Sequence, residues 1–287
     1  MVGYREADSL RQTGRFALFN TGKEDKLKAK SDISPEAVRQ KLTTEFVGRH
    51  FLYYPSVTST MDVARKEAKE GAVEGTVVVA EEQTVGRARL GRSWINPPGV
   101  VAVSIILRPE MSQLIRLTMV AALATSRCIE KVAGLKTVIK WPNDVLIKGK
   151  KVSGILTESA LRGQSVDWAV IGIGINVNFD PKAYPEIADI ATSLSVELGK
   201  KVSQLEVLLH LLNELEYFYS ALRRGEPIYQ EWRAKLETLG KVVQVKTGTD
   251  LEKGYAESVD EDGALLLRRP DGSLVRIVAG EVTLRPS

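Results

Sequence analysis

Residues 140–158 have the sequence KWPNDVLIKGKKVSGILTE, whose pattern distinguishes between fold classes. Two apolar runs, at 145–147 and 151–158, predict β-strands. Gly149 lies between them and predicts a tight turn, because glycine readily adopts the positive φ angles that short turns require. The pattern therefore predicts an antiparallel hairpin, and it disfavours the strict strand–helix alternation of a doubly wound nucleotide-binding fold.

Strand and helix patterns follow one another irregularly on both sides of this hairpin. Apolar and β-branched runs predict further strands at 50–54, 76–80, 100–107, 137–140 and 168–177. Helical spacing and capping residues predict helices that begin at Ser34, extend from 58–60 to Gly71, and cover 113–133 and 204–223. The expected fold class is α+β, with a mixed sheet and helices.

The pattern changes after Gly240, where four short predicted strands, at 242–246, 254–259, 264–268 and 274–278, alternate with turns. Asp262-Gly263 and Asp271-Gly272 are hairpin signals, and about 50 residues of this kind predict a small β-barrel domain. Residues 1–33 are polar and have no apolar period, which is typical of an extension. We therefore expect an extension over 1–33, a main domain over 34–238 and a C-terminal domain over 239–287.

Charge and cysteine content exclude several classes of protein. Forty Lys and Arg residues against 36 Asp and Glu leave a net charge of +4 in 287 residues, which by itself does not indicate nucleic-acid binding. A single cysteine, Cys128, excludes an intramolecular disulfide and zinc sites with two or four cysteines. No apolar run approaches the roughly 18 residues of a membrane span, and charges occupy the N-terminal region where a signal peptide needs an apolar core. We expect a cytoplasmic protein that does not associate with membranes.

Residues 86–94, GRARLGRSW, place three arginines within six positions. Like charges this close repel one another, and guanidinium groups form bidentate hydrogen bonds with phosphate, so the loop predicts a site for a polyanion such as a triphosphate. The spacing is similar to a P-loop, but a P-loop must open a helix, and the residues INPPG at 95–99 disfavour a helix there. A solvated basic surface loop is the alternative.

Two further segments support a ligand site. In 140–144 a cation, an aromatic residue and a carboxylate lie at a strand end, and Lys150 and Lys151 follow the turn. In 172–178, GIGINVN, two glycines lie inside an apolar strand, where glycine often marks the close approach of a ligand. The alternatives are that the lysines are ordinary turn residues and that the glycines pack under a neighbouring helix.

These segments, in this order, resemble the catalytic domain of biotin protein ligases. The matching segments are Ser59-Thr60, Gln83 with the loop 86–94, 140–158, 172–178 and 191–194. The resemblance covers roughly residues 50–238 and implies the fold of class II aminoacyl-tRNA synthetases and biotin ligases; it also implies an SH3-like barrel for 239–287. Two residues depart from the family pattern, since Met61 stands where the family usually has Asn and Ala88 where it usually has Gly.

The resemblance implies a ligase that works in two steps. Biotin and ATP form biotinyl-5′-AMP with the help of Mg²⁺, and the biotinyl group then passes to a lysine of a biotin carboxyl carrier protein domain in a biotin-dependent carboxylase. About 48 residues precede the first core strand, too few for the winged helix of bifunctional members, so we expect no DNA binding and no repressor function. Homodimers are common in the family and exposed sheet edges could support one. A lipoate–protein ligase and a non-catalytic biotin-binding regulator are the alternatives.

The resemblance also assigns roles to individual residues. The residues implied for biotin are Ser59, Thr60, Gln83, Arg87 and Lys151. Those implied for ATP and the adenylate are Arg87, Arg89, Arg92, Trp94, Lys140 and Asn176. The implied catalytic residues are Lys151, Arg87, Arg89 and Asp144, and none is implied as a metal ligand. Lys151 is expected to be the main electrostatic catalyst, because an ammonium group is a compact point charge.

Overall fold

The structure is a computed structural model that describes residues 17–18 and 31–284. The strands of the main domain are β1 (Ala17–Leu18), β2 (Phe51–Val57), β3 (Val77–Gln83), β4 (Val100–Leu107), β5 (Val138–Lys140), β6 (Asp144–Ile147), β7 (Lys150–Arg162) and β8 (Ser165–Asn176). The α-helices are α1 (Pro35–Lys41), α2 (Thr60–Lys69), α3 (Met111–Leu114), α4 (Leu117–Ala133), α5 (Leu194–Leu198), α6 (Gln204–Arg223) and α7 (Ile228–Ala234). The C-terminal domain contributes β9 (Val242–Thr247), β10 (Asp250–Val259), β11 (Leu265–Arg268), β12 (Leu274–Ile277) and β13 (Glu281–Leu284).

Within the described residues, the strands of the main domain form one sheet in the order β1-β2-β3-β4-β8-β7-β6-β5. The pairs β1–β2 and β2–β3 are parallel, and the other neighbouring pairs are antiparallel. The hairpin predicted from 140–158 is confirmed as β6–β7, and its turn contains Lys148 and Gly149, both at positive φ. The expected mixed sheet with helices is confirmed.

Capping residues fix most helix ends where the sequence predicts them. Ser34 caps α1, and Gly134 ends α4 in the left-handed conformation, at φ 65°. The helix expected over 113–133 is instead divided into α3 and α4, at the point where Arg116 pairs with Asp262 of the C-terminal domain, Nη2–Oδ1 3.3 Å. In the part of the chain that the structure describes, no helix combines the length and the apolarity that crossing a membrane requires.

The C-terminal domain is an antiparallel sheet in the order β12-β11-β10-β9-β13. The sequence predicts its first four strands but not β13, whose short alternating run contains the buried residue Val282. Side chains of β9, β10 and β11 belong to the same apolar core as those of α4, α6 and the main sheet. The two domains therefore share one continuous core.

Two residues of the expected N-terminal extension pack on the main domain. Asp32 accepts a hydrogen bond from the Leu205 N–H at 3.0 Å, at the start of α6, and Ile33 is buried. Strand β1 pairs in parallel with Leu52 and Tyr53 of β2. Residues 1–16 and 19–30 lie outside the described residues.

Candidate active site

A cavity of about 850 Å³ lies between the main sheet, the loop 86–94 and the C-terminal domain. Its volume falls within the roughly 300–1,000 Å³ that is usual for small-molecule sites. Its lining includes every residue to which the sequence assigns a role: Ser59, Thr60, Gln83, Arg87, Arg89, Arg92, Trp94, Lys140, Asp144, Lys151 and Asn176. The fold thus gathers residues that are far apart in the chain around one cavity.

Glycines form the floor of this cavity beneath an aromatic ring. Gly154 of β7 and Gly174 of β8 are paired across the two strands. A Cβ on Gly174 would lie 2.6 Å from Cε2 of the Trp94 indole, and one on Gly154 would lie 3.0 Å from its Cζ3. These strands need glycine because the indole lies directly on them. The close approach predicted from 172–178 is therefore made by a side chain of the chain itself.

The third glycine of the floor, Gly172, lies directly against the side chain of Met61. A Cβ on Gly172 would lie 2.5 Å from the Met61 sulfur, and Met61 is buried. Its side chain fills the space above the glycine at one end of the cavity. The departure at Ala88 has no backbone consequence, because this residue has φ −131° and ψ 176°, an extended conformation that any residue adopts.

The loop 86–94 is itself a small hairpin. The N–H of Trp94 donates to the Gly86 carbonyl at 2.8 Å, and the N–H of Ala88 donates to the Arg92 carbonyl at 2.9 Å. A Cβ on Gly86 would lie only 2.2 Å from the Trp94 carbonyl oxygen, and Gly91 has φ +72°. Glycine is thus required at both positions, for close approach at the first and for a left-handed turn at the second.

Two arginines of the loop reach toward β6 and the C-terminal domain. Arg89 donates to the Asn143 side chain at 2.8 Å and to the Gly280 carbonyl at 3.2 Å. Arg92 pairs with Glu281 at 2.7 Å. Burial lowers the pKa of the Arg89 guanidinium from its usual value, a shift that the nearby Asp144 opposes. The loop is therefore tied to its surroundings and is not an unattached surface loop.

Lys151 lies at the centre of the charged part of the cavity. Its Nζ is 2.7 Å from Asp144 Oδ1 and 5.4 Å from the centroid of the Trp94 ring. Lys140 ends β5 directly opposite Asp144 in the β5–β6 pair. The Lys151 ammonium group thus pairs with a carboxylate of the neighbouring strand, beside the indole.

Backbone hydrogen bonds fix the position of Lys151. Its N–H donates to the Ile190 carbonyl at 2.8 Å, and its carbonyl accepts from the Thr192 N–H at 2.9 Å. Asn176 is buried, and its Nδ2 donates to the Thr192 carbonyl at 2.9 Å. The segment 190–192 is therefore joined to β7 and β8, and the lysine backbone has little freedom to move.

A chain of polar side chains lies at the other end of the cavity, where Ser59 caps α2. The Ser104 hydroxyl donates to Thr60 Oγ1 at 2.9 Å, Thr60 donates to Gln83 Oε1 at 3.1 Å, and Gln83 Nε2 donates to Asn96 at 3.2 Å. Sequence reasoning missed Ser104 and Asn96. The available signal for Ser104 is a single polar residue inside the apolar strand VVAVSIIL.

Two models of protein families match the chain. The model described as "Biotin/lipoate A/B protein ligase family" matches residues 53–176, and the one described as "Biotin protein ligase C terminal domain" matches residues 238–285. The Bifunctional ligase/repressor BirA of Bacillus subtilis is 38% identical over 98% of this chain and 85% of its own length. The chain belongs to the biotin protein ligase family.

Other relatives of this biotin protein ligase agree. The Biotin--[acetyl-CoA-carboxylase] ligase of Paracoccus denitrificans is 38% identical over 71% of this chain and 88% of its own length. The biotin protein ligase of Aquifex aeolicus, solved in complex with biotin and ATP, has a TM-score of 0.72 and 32% identity, and the match covers 83% of this chain and 99% of that one. The resemblance and the expected enzyme class are confirmed, whereas the roles of single residues stay predictions.

The described residues of the ligase offer no cluster of metal ligands. Nowhere within 17–18 and 31–284 do three His, Cys, Asp or Glu side chains come together to hold an ion. Hard cations such as Mg²⁺ are often bound through one or two carboxylates together with substrate phosphates. A Mg²⁺ ion that accompanies ATP therefore does not require three protein ligands.

Proposed function

We propose that the chain activates biotin with ATP as biotinyl-5′-AMP and transfers the biotinyl group to a lysine of a biotin carboxyl carrier protein domain. The observation that carries this proposal is the meeting of Lys151, Asp144, Arg89 and Trp94 in one cavity. The Aquifex aeolicus relative, solved with biotin and ATP, supports the two substrates. The Paracoccus denitrificans relative, named for acetyl-CoA carboxylase, supports a carrier of that kind.

In the first step an oxygen of the biotin carboxylate attacks the α-phosphorus of ATP. The new bond is a phosphorus–oxygen bond, the bond between the α-phosphorus and the bridging oxygen breaks, and pyrophosphate leaves. Two anions must approach each other, so positive charge placed in advance lowers the barrier. Lys151 and Arg89 supply that charge, and Lys151 is the main electrostatic catalyst. Mg²⁺, when bound together with ATP, would add further positive charge at the phosphates.

The two substrates divide the cavity between its polar and its charged ends. Ser59, Thr60 and Gln83 hydrogen-bond the ureido group of biotin, together with the backbone of Arg87. The adenine lies against the Trp94 indole, whose Nε1 is buried and has no hydrogen-bond partner among the described residues. The other residues proposed for ATP are Arg89, Arg92, Lys140 and Asn176.

In the second step the amine of the carrier lysine attacks the carbonyl carbon of the mixed anhydride. An amide bond forms, the bond from this carbon to the phosphate oxygen breaks, and AMP leaves. A free lysine has a pKa of about 10.4, so it must lose a proton before it attacks. Asp144 is the proposed acceptor of that proton. Its contact with Lys151 gives it a second proposed role, which is to position the side chain of Lys151.

Five finer assignments stay predictions. The C-terminal domain is proposed to be an SH3-like barrel and the main domain to have the fold of class II aminoacyl-tRNA synthetases. A cytoplasmic location and a homodimer are predictions as well. Analytical ultracentrifugation measures whether the protein is a dimer. The absence of DNA binding and repressor function is a prediction that the relative named a bifunctional ligase/repressor does not support, since it aligns with 98% of the chain.

Isotope exchange tests the proposed function. Labelled pyrophosphate is expected to enter ATP when biotin is present, and not when lipoate replaces biotin. Transfer is then measured as incorporation of labelled biotin into a carrier domain. Exchange with lipoate alone would identify a lipoate ligase, and binding of biotin without exchange would identify a regulator without catalysis.

The variant Trp94→Ala is expected to bind ATP about 5- to 150-fold more weakly, with a smaller change for biotin. Stacking of a base on an aromatic ring contributes about 1–3 kcal/mol, and the ring lies on the glycine floor beside Lys151. Calorimetric titration with each ligand measures the two affinities. Equal weakening of both would contradict the assignment and indicate a general distortion of the cavity.

A further inference from the structure

Arg87 points away from the other two arginines of the loop. Its Nη2 is 2.6 Å from Glu158 Oε1 and its Nη1 is 3.2 Å from Glu158 Oε2, which is a bidentate pair. Nη1 also donates to Asp62 Oδ1 at 3.0 Å. Glu158 belongs to β7 and Asp62 to the first turn of α2. Carboxylates on two elements of the main domain therefore hold this guanidinium.

A second arginine completes the cluster. Arg65 of α2 lies 2.7 Å from Asp62 and 3.8 Å from Glu158. The loop-anchoring cluster (Asp62, Arg65, Arg87 and Glu158) thus contains two cations and two anions and is neutral as a whole. Glu158 is its least exposed member, with 23% of its side chain exposed. Among the contacts of the described residues, only those of Arg87 connect the cluster to the loop.

The three arginines attach the loop to opposite walls of the cavity. Arg87 is held by α2 and β7. Arg89 contacts Asn143, the residue before β6, and Arg92 contacts Glu281 of the C-terminal domain. Between these attachments, the loop carries Arg89 across the cavity and ends at Trp94. Both terminal nitrogens of Arg87 are engaged by these two carboxylates, so a phosphate group would have to compete with Asp62 and Glu158 for them.

We propose that Asp62 and Glu158 are positioning residues for biotin activation, and that they make Arg87 the anchor of the loop and not a phosphate ligand. This inference rests on the proposed function for its kinetic consequence. The carboxylates act through Arg87, since they hold the start of the loop, where the Arg87 backbone is proposed to contact biotin, whereas Arg89 has contacts of its own to Asn143 and Gly280. Biotin contacts from the Arg87 backbone are compatible with this role, because the anchor uses only the side chain.

The test compares Glu158→Gln with the wild-type protein by two independent measurements. Trypsin cleavage after Arg89 and Arg92, followed by mass spectrometry, reports how often the loop of the empty protein opens. We expect cleavage about 10-fold faster, the factor that corresponds to losing a charge-assisted hydrogen bond. In pyrophosphate exchange, the KM for biotin should rise by a similar factor, while kcat at saturating biotin stays within about twofold.

Arg65→Ala is the matched control. This variant removes a positive charge that lies beside the same two carboxylates, but Arg87 still attaches the loop to them. Its cleavage rate and its KM for biotin should therefore remain those of the wild type. The double variant Arg87→Ala/Glu158→Ala should behave like Arg87→Ala alone, because the carboxylate acts through the arginine. Far-UV circular dichroism verifies that each variant is folded, and Glu158→Asp should restore part of the effect.

Two outcomes would overturn the proposal. Unchanged loop cleavage in folded Glu158→Gln would mean that the carboxylate does not anchor the loop. A lower KM for ATP in that variant would mean that removing the carboxylate frees Arg87 to bind phosphate. The proposed function fails by a different result, namely no biotin-dependent exchange by the wild-type protein, and in that case the cleavage rates still decide whether the anchor exists.

Discussion

Lys151→Ala is expected to lower biotin-dependent pyrophosphate exchange by about 10²- to 10³-fold, the usual cost of removing one preorganised group that stabilises developing charge. The ammonium group lies 2.7 Å from Asp144 and 5.4 Å from the Trp94 ring centroid, so it is held at the charged end of the cavity. Its backbone bonds to Ile190 and Thr192 do not involve the side chain. The fold should therefore survive, and the loss should appear in the rate.

The neighbouring lysine provides the control for this prediction. Lys150→Ala removes the same charge one residue earlier in β7, from an exposed position outside the cavity lining. Exchange by that variant should stay within about twofold of the wild type, because an exposed charge is screened by water and salt. Near-normal exchange by Lys151→Ala would contradict a catalytic role for Lys151. Equal losses of exchange in both variants would instead indicate an effect of the net charge of the protein.

Local sequence patterns predict those parts of the fold that depend on neighbours in the chain. The hairpin β6–β7 follows from two apolar runs and a glycine, and the ends of α1 and α4 follow from Ser34 and Gly134. The division between α3 and α4 does not follow from the local pattern, since neither Ile115 nor Arg116 is a residue that ends helices. The contact made at this point joins Arg116 to Asp262, 146 residues further along, and a contact that distant leaves no local signal in the sequence.

The candidate site shows the same division between local and distant contacts. The loop 86–94 is visible in the sequence because arginine and glycine are concentrated in it. The partners of Arg87 cannot be recognised in the sequence, because Asp62 and Glu158 lie 25 and 71 residues away from it. An isolated carboxylate also carries no signal of its own. Gly174 could be recognised as a close approach, but the pattern could not tell that Trp94, and not a helix, makes the contact.

One aromatic side chain at the junction between the two domains lies three residues before Asp144, the carboxylate proposed to be catalytic. Trp141 is 1% exposed, and its Nε1 donates to the Gly263 carbonyl at 2.8 Å, on a turn of the C-terminal domain. A Cβ on Gly263 would lie 2.6 Å from the Met119 methyl group, so this turn packs closely on α4. The indole therefore joins the residues before Asp144 to the second domain.

Trp141→Ala is expected to lower the free energy of unfolding by about 3–5 kcal/mol, because it leaves a large cavity in the shared core. Trp141→Phe keeps most of the buried area but leaves the Gly263 carbonyl without its donor, so its loss should be about 1–2 kcal/mol. Urea unfolding followed by far-UV circular dichroism measures both values. Similar losses for the two variants would assign the stabilisation to the hydrogen bond, and no loss for Trp141→Ala would contradict a core shared between the domains. Since Trp141 lies three residues before Asp144, the same contact that stabilises the junction also holds the start of β6 where the carboxylate meets Lys151.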